Sequence, residues 1–146
     1  MPSLEEVKNE WKTDSAIDFV KFEKELGRIP LLHSKYLDYL IYFRSKRAVA
    51  LKKLNIMKNV KRRYYRGEFT LEDLKEYDWD QWQGLKPSMS ELNQLFEQDQ
   101  DLNDLEEKLE YYNTALIAVE YIMKAIQSRG YELKTNLDWQ KFINGA

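Results

Sequence analysis

The sequence contains no cysteine, and only five glycines and three prolines in 146 residues. Without cysteine, the chain can form neither a disulfide framework nor a thiolate metal site. The scarcity of glycine and proline, and the lack of alternating β-branched runs bounded by turns, argue against a sheet of any size. The composition therefore predicts a mostly helical protein.

Membrane and export signals are also lacking. No run approaches the roughly 18 consecutive apolar residues of a membrane span. The first ten residues, MPSLEEVKNE, are acidic, whereas a signal peptide would be basic and then apolar. We therefore expect a soluble, cytoplasmic protein that does not contact membranes.

Signatures of catalysis and of metal binding are equally scarce. The single histidine, His33, has no nucleophile and no orienting acid in a recognisable pattern around it, so a structural role is favoured. No phosphate-binding glycine loop is present. Asp78 and Asp80 lie in a region without histidine or EF-hand spacing, which disfavours a metal site. The sequence predicts a protein that is not an enzyme and needs no cofactor or metal.

Charge is present in quantity, but it is unevenly distributed. Residues 39–67 contain ten Lys and Arg and no acid, whereas residues 68–110 contain fourteen Asp and Glu and three Lys and Arg. Solvated helices usually mix both signs, because ion pairs one turn apart stabilise them. The basic segment therefore indicates a surface for a polyanion. The acidic segment is compatible with a solvated face, a nucleic-acid mimic or a docking site for a basic partner.

Two tyrosines, Tyr64 and Tyr65, lie inside the most basic part of this segment. Lys and Arg neutralise phosphates, and aromatic rings stack on unpaired bases with about 1–3 kcal/mol per base. No helix-turn-helix, zinc finger or RNP motif is visible, so binding to single strands without sequence preference is favoured. The tyrosines could instead belong to the core. The candidate DNA-binding residues are Lys52, Lys53, Lys58, Lys61, Arg62, Arg63, Tyr64, Tyr65 and Arg66.

Helix signals predict a short N-terminal helix over residues 4–12, opened by a Ser3 capping box, and a second short helix that ends at Gly27. One long helix then runs from Pro30 to Arg66. Beyond Met57 its apolar stripe is replaced by cations. We therefore expect its last two turns to project from the body of the protein.

The second half of the chain begins with a short acidic helix opened by Thr70. A loop anchored by Trp79 and Trp82 follows. A second long helix runs from near Ser88 or Ser90 to residue 129, with a bend in the EQDQD run, and Gly130 caps it. A last short helix covers residues 137–143. We expect one helical domain, 1–146, in three parts: 1–67 with the basic helix, a connector over 68–87, and 88–146 with the long helix and the C-terminal helix.

Two adjacent apolar seams follow the second long helix. In the first, residues from Leu102 to Ile126 recur at alternating spacings of three and four, which is typical of coiled-coil packing. The second seam contains several small alanines, which permit close approach of a neighbour. Two seams favour contact with two neighbours, as in a ring of identical subunits. The candidate assembly residues are Leu109, Tyr112, Ala115, Leu116, Val119, Ile122, Met123 and Ile126.

Three stretches, LLHSKYLDYL, KRRYYRGE and YYNTALIAVEYIMKAIQSRGYELKTNLDWQKF, resemble the UvsY family of recombination mediator proteins from T4-like tailed phages. The likeness runs from end to end and is most specific over AIQSRGYELK, residues 125–134; residues 68–110 match only in being acidic and polar. Where the family has Lys-x-Arg before its tyrosine pair, this chain has Asn59, Val60 and Lys61.

The resemblance implies an all-α protein that forms a closed ring of six or seven identical subunits and binds single-stranded DNA. It also implies a partner set: a RecA-like recombinase, which the protein loads onto strands, and the single-strand binding protein that covers them. No catalysis is implied, and the location would be the cytoplasm of the infected bacterial host. The family's DNA-contacting cations correspond to Lys58, Lys61, Arg62 and Arg63. The alternative is a non-enzymatic oligomeric scaffold whose basic helix docks an acidic protein.

Overall fold

The computed structural model describes residues 1–145, and these form five α-helices and no strand. The helices are α1 (Leu4–Asp14), α2 (Phe22–Tyr65), α3 (Leu71–Tyr77), α4 (Met89–Gln98) and α5 (Gln100–Ile143). The all-α class expected from the composition is confirmed, with two long helices and shorter ones between and before them.

Helices α1, α3 and α4 begin where the sequence predicts a helix start. Ser3, Thr70 and Ser88 each cap a helix, and in each case the residue three positions later completes a capping box. These reciprocal bonds satisfy backbone N–H groups that the first turn of a helix leaves without partners. Asp78 ends α3 in the left-handed conformation at φ 55°.

The predicted break at Gly27 is wrong, because α2 begins at Phe22 and continues through Gly27 and Pro30. Proline and glycine inside a helix cost about 3 and 1 kcal/mol relative to alanine. Contacts made by the next residues offset this cost. Arg28 donates to the buried Glu25 at 3.0 Å and to the Asp14 carbonyl at 3.4 Å, and Ile29 packs against the core. Tertiary packing therefore overrides the local signal.

The predicted bend in the EQDQD run is confirmed as a break at Asp99, which is extended (ψ 119°) between α4 and α5. By contrast, the predicted cap at Gly130 and the separate C-terminal helix are wrong, since α5 continues to Ile143. Arg129 and Leu133, on either side of this glycine, are both buried. Packing of these side chains keeps the backbone helical where the local sequence favours a stop.

The structure divides into two compact units. The first contains Met1–Lys46 together with the chain from Tyr112 onward. Its core is formed by Val7, Leu32, Tyr36 and Phe43 from α1 and α2, and by the apolar face of α5 between Ala115 and Ile126. The second unit is Arg47–Tyr111 and holds the basic half of α2 with the whole acidic segment. The expectation of one domain stays a prediction, and the unit boundaries differ from those at 67/68 and 87/88.

No helix within residues 1–145 is both long enough and apolar enough to cross a membrane.

Candidate nucleic-acid interface

The basic end of α2 does not project freely, which corrects the expectation from the sequence. Val60, Lys61 and Tyr65 are buried, Tyr64 and Lys58 are half-buried, and only part of the surface remains exposed. The helix keeps a buried apolar side to its end, because Val60 and Tyr65 pack against the rest of the subunit. The exposed cations among the candidates are Lys52, Lys53, Arg62, Arg63 and Arg66.

Lys61 is the candidate that departs furthest from the expectation, because its residue is only 6% exposed. Its ammonium lies 3.0 Å from a carboxylate oxygen of Asp99 and 2.7 Å from one of Asp101. The same nitrogen lies 4.0 Å from the centre of the Trp79 ring, within the range of a cation–π contact. Its charge is therefore satisfied inside the subunit.

Asp99 joins three elements of the second unit. Its Oδ1 accepts from the Leu102 N–H at 3.0 Å and so caps α5, while its Oδ2 accepts from the Tyr65 hydroxyl at 2.6 Å. Burial tends to raise the pKa of the Asp99 carboxyl, but these hydrogen bonds and Lys61 outweigh it, and the pKa lies below its ordinary value. Burial and the bond to Asp99 raise the pKa of Tyr65 well above its ordinary value. The carboxylate is thus held ionised beside a neutral phenol.

The two tyrosines belong to an aromatic cluster, defined by Tyr64, Tyr65, Phe69, Tyr77, Trp79 and Trp82. Tyr64 meets Trp79 edge to face at 5.1 Å and Tyr65 meets Trp82 at 4.9 Å, while Phe69 and Trp79 stack within 8° of parallel. The Tyr64 hydroxyl also donates to the Asp80 carbonyl at 2.5 Å. The predicted anchoring by Trp79 and Trp82 is confirmed. The tyrosines thus lie among these packed rings, in line with the alternative that they belong to the core.

Four of the five exposed cations share a face of α2, which the helical bond from the Arg66 N–H to the Arg62 carbonyl extends to Arg66. At 3.6 residues per turn, Lys52, Arg62, Arg63 and Arg66 fall within about 100° of one another around the helix axis. They span about 21 Å along it. Asn59 lies on the same face and accepts from the Arg62 guanidinium at 2.7 Å. We call these four cations the exposed basic face; Lys53 lies outside it, and Lys58 lies at its edge.

Carboxylates of the acidic segment reach three of the candidate cations on or beside this face. Arg63 lies 2.8 Å from Asp73, Arg66 lies 3.8 Å from Glu68, and the Lys58 ammonium lies 3.9 Å from Glu106. Bonds from the Thr70 backbone lower the pKa of Asp73 below its ordinary value, and Arg63 adds to the effect. All of these residues lie within the second unit. The acidic segment is therefore in direct contact with the basic helix.

The predicted assembly residues lie mostly inside the subunit, and their role in assembly stays a prediction. Ala115, Leu116, Val119, Ile122, Met123 and Ile126 are buried in the core of the first unit against side chains of α1 and α2. Leu109 and Tyr112 are half-buried. Heptad spacing indicates that one side of a helix packs along its length. A helix of the same chain can supply that packing as well as a second subunit can.

A different face of α5 remains exposed. Ile117, Tyr121, Tyr131, Trp139 and Phe142 are all exposed, and Tyr121 is 68% accessible. Their spacing places them within about 80° of one another, on the side opposite the core-facing residues. The Trp139 and Phe142 rings stack at 5.7 Å. We call this the exposed apolar stripe of α5.

Arg129 is a structural residue that sequence reasoning missed. It is buried, and its guanidinium donates to the Asp14 carbonyl at 3.2 Å and the Ser15 carbonyl at 3.0 Å, both at the end of α1. It also lies over the Trp11 ring at 5.5 Å. Burial, followed by the neighbouring Arg28, lowers the pKa of Arg129. The available signal was its place in the AIQSRGYELK stretch, the most specific part of the resemblance.

Comparison with known proteins adds a family to this geometry. Residues 10–146 match the family described as recombination, repair and ssDNA binding protein UvsY. The chain belongs to the UvsY family. The recombination protein UvsY of Enterobacteria phage T4 is 26% identical over 149 residues, covering 97% of this chain and 98% of that protein.

Solved UvsY structures have the same fold. Two crystal structures of the bacteriophage T4 recombination mediator protein UvsY, in different lattice types, superpose with TM-scores of 0.80 and 0.81. They are 21% and 22% identical and cover 97% and 99% of this chain, and 99% of the T4 chain in both cases. The resemblance stated from sequence is thereby confirmed at the level of family and fold.

Proposed function

We propose that this chain is a non-catalytic, single-stranded DNA-binding recombination mediator. Membership of a family described as recombination, repair and ssDNA binding proteins supports this. The observation that carries the proposal is the exposed basic face of α2, because clustered cations on one surface neutralise successive phosphates without reading bases. The protein acts by binding and positioning a strand, not by chemistry on it.

Strand contact is assigned to Lys52, Arg62, Arg63 and Arg66, with Lys53 and Lys58 adding charge nearby. These side chains are wholly or partly exposed. Lys61, Tyr64 and Tyr65 hold the surface in place, because their polar atoms already bond within the subunit. Affinity for any one subunit is therefore electrostatic and strongly dependent on salt.

Weak patches become effective when copies of the chain assemble. The proposed assembly is a closed ring of six or seven subunits, as the family resemblance implies, with the exposed apolar stripe of α5 as the contact surface. An apolar face of this kind on a protein surface indicates an interaction site. Once one patch holds a strand, the others bind it at high effective concentration. A strand would thus be held across several subunits.

The finer role is loading of a RecA-like recombinase onto single strands covered by single-strand binding protein, in the cytoplasm of the infected bacterial host. A T4 relative is named a recombination mediator protein. A mediator of this kind holds the strand while one protein replaces the other. Adding this protein to a strand saturated with single-strand binding protein is then expected to increase the strand-dependent ATPase of the recombinase.

The second candidate is a scaffold whose basic helix docks an acidic protein. One observation favours it: Lys58, Arg63 and Arg66 each lie near a carboxylate of the chain itself. A helix surface that accepts these carboxylates could also accept those of a partner.

Titration of fluorescent oligo-dT, duplex DNA and heparin at two salt concentrations separates the candidates. The mediator binds oligo-dT, and log K falls with log salt with a slope of about −0.7 per phosphate neutralised. R62A/R66A is expected to lower the magnitude of this slope by about 1.4 per subunit contact. The matched control is K24A/K134A, which removes two exposed lysines elsewhere. No binding to any of the three polyanions would refute the mediator and favour the scaffold.

A further inference from the structure

The ion pairs between the acidic segment and α2 fall into two groups. Lys61 and Asp99 form a buried pair, 6% and 5% exposed, and Asp101 binds the same ammonium, over which the Trp79 ring lies. The pairs Lys58–Glu106, Arg63–Asp73 and Arg66–Glu68 join side chains that remain open to solvent on at least one side. A buried pair is costly to separate, whereas an exposed pair holds with little free energy and is readily exchanged for another partner.

The exposed pairs occupy the cations through which the proposed function would bind a strand. Asp73 is held on the first turn of α3 by its capping box with Thr70, and α3 packs into the aromatic cluster through Tyr77. Glu106 lies in the second turn of α5, the helix that Asp99 caps. The Asp73 and Glu106 carboxylates are thus positioned beside the cations by the helices that carry them.

We propose that Glu68, Asp73 and Glu106 act as an internal polyanion that competes with DNA phosphates for Arg66, Arg63 and Lys58. This inference rests on the proposed function and describes the regulation of the same surface. A strand must displace the three carboxylates before it contacts these cations. A single subunit therefore binds DNA more weakly than its number of cations would suggest. Stable binding of a strand then requires several subunits to contact it together.

The competition has a characteristic salt dependence. Salt screens exposed ion pairs within the protein as well as those with DNA. Raising the salt concentration weakens the ion pairs between the three carboxylates and the cations as well as those with DNA. The weaker competition offsets part of the decrease in DNA affinity. The wild-type plot of log K against log salt is accordingly shallower than that of a variant without the competing carboxylates.

The test compares E68Q/E106Q with the matched control E76Q/E107Q. Both variants remove two acids from the same segment, but Glu76 and Glu107 are exposed and form no ion pair among the described residues. Removing one competing exposed pair is expected to tighten binding by about 1.5- to 5-fold. E68Q/E106Q should therefore bind oligo-dT about 2- to 20-fold more tightly than wild type at low salt, with a steeper salt slope. The control should show a smaller gain and the wild-type slope.

D73N provides a second variant at the shortest of the three contacts, since asparagine keeps an oxygen that can accept from the Thr70 N–H. It should also tighten binding, with an unchanged helical circular dichroism spectrum confirming that α3 is intact. Equal affinities and slopes for E68Q/E106Q and E76Q/E107Q would overturn the inference while leaving the proposed function in place. Failure of wild type and all variants to bind oligo-dT would overturn the proposed function and the inference with it.

Discussion

Replacement of Lys61 by methionine tests whether this residue contacts DNA or supports the subunit. K61M introduces an unbranched apolar side chain of similar length and removes the ammonium that lies 3.0 Å from Asp99 and 2.7 Å from Asp101. Asp99 is then left ionised and buried. Breaking a buried pair by removing one partner costs about 3–5 kcal/mol. We expect about 3 kcal/mol, the lower end, because Asp99 retains its bonds from Tyr65 and Leu102.

The assay is thermal and urea denaturation at fixed protein concentration, with K53M as the matched control. Lys53 is on the same helix and exposed, so its replacement should change stability by less than about 0.5 kcal/mol. K61M should lower the thermal midpoint by roughly 6–12 °C, at 2–4 °C per kcal/mol for a chain of this size. The double variant K61M/D99N should regain part of the loss, because no unpaired buried charge remains.

The same variants carry the opposite expectation for DNA. At a temperature where K61M is folded, its salt slope for oligo-dT should equal that of wild type, whereas R62A should lose about 0.7 in slope magnitude. Wild-type stability of K61M, combined with a slope reduced as in R62A, would refute the placement of Lys61 inside the subunit.

Three further predictions follow from the buried groups. D99N should be less stable than wild type at neutral pH, because folding lowers the pKa of Asp99 and so favours its ionised form. The difference in stability should persist above about pH 4 and vanish as the pH falls through the lowered pKa. Denaturation measured across about pH 2–7 checks this. I126A should lower the free energy of unfolding by about 2–5 kcal/mol, since Ile126 is fully buried. Y121A should leave stability nearly unchanged but reduce the native mass of the oligomer. The reverse pattern would show that the core-facing residues of α5 form the subunit interface. R129A should destabilise the protein by about 2 kcal/mol, because the Ser15 carbonyl loses its donor and the Asp14 carbonyl keeps only the longer bond from Arg28. R129K should recover little of the loss, and an unchanged urea midpoint would contradict that role.

Local signals in the sequence were sufficient for part of the fold. The caps at Ser3, Thr70 and Ser88 rest on bonds within four residues, so sequence alone predicts them. The helix ends predicted at Gly27 and Gly130 and the helix start predicted at Pro30 are wrong, because the local cost of these residues is offset by contacts distant in sequence. Arg28 donates to the Asp14 carbonyl at the end of α1, and Arg129 donates to the same carbonyl from more than 100 residues away.

The candidate site was predictable as a region but not as a set of contacts. The ten cations of residues 39–67 identify the basic helix, yet nothing local distinguishes Lys61 from Arg62. The difference arises from Asp99, which lies beyond α3, a loop and α4. Likewise, the spacing of Val119 and Ile126 predicts a packed face without specifying whether the neighbour belongs to the same chain. Partner identity in both cases is a property of tertiary structure.

Native mass spectrometry with and without oligo-dT tests the central claim most directly, namely that an oligomer of this chain holds a single strand on the exposed basic face of α2. Wild type and K52A/R62A/R66A are measured side by side. The predicted result is the same oligomer for both proteins, with the mass of one strand added only to wild type. A variant that retains the strand as wild type does, or a wild-type protein that acquires none, would contradict the account.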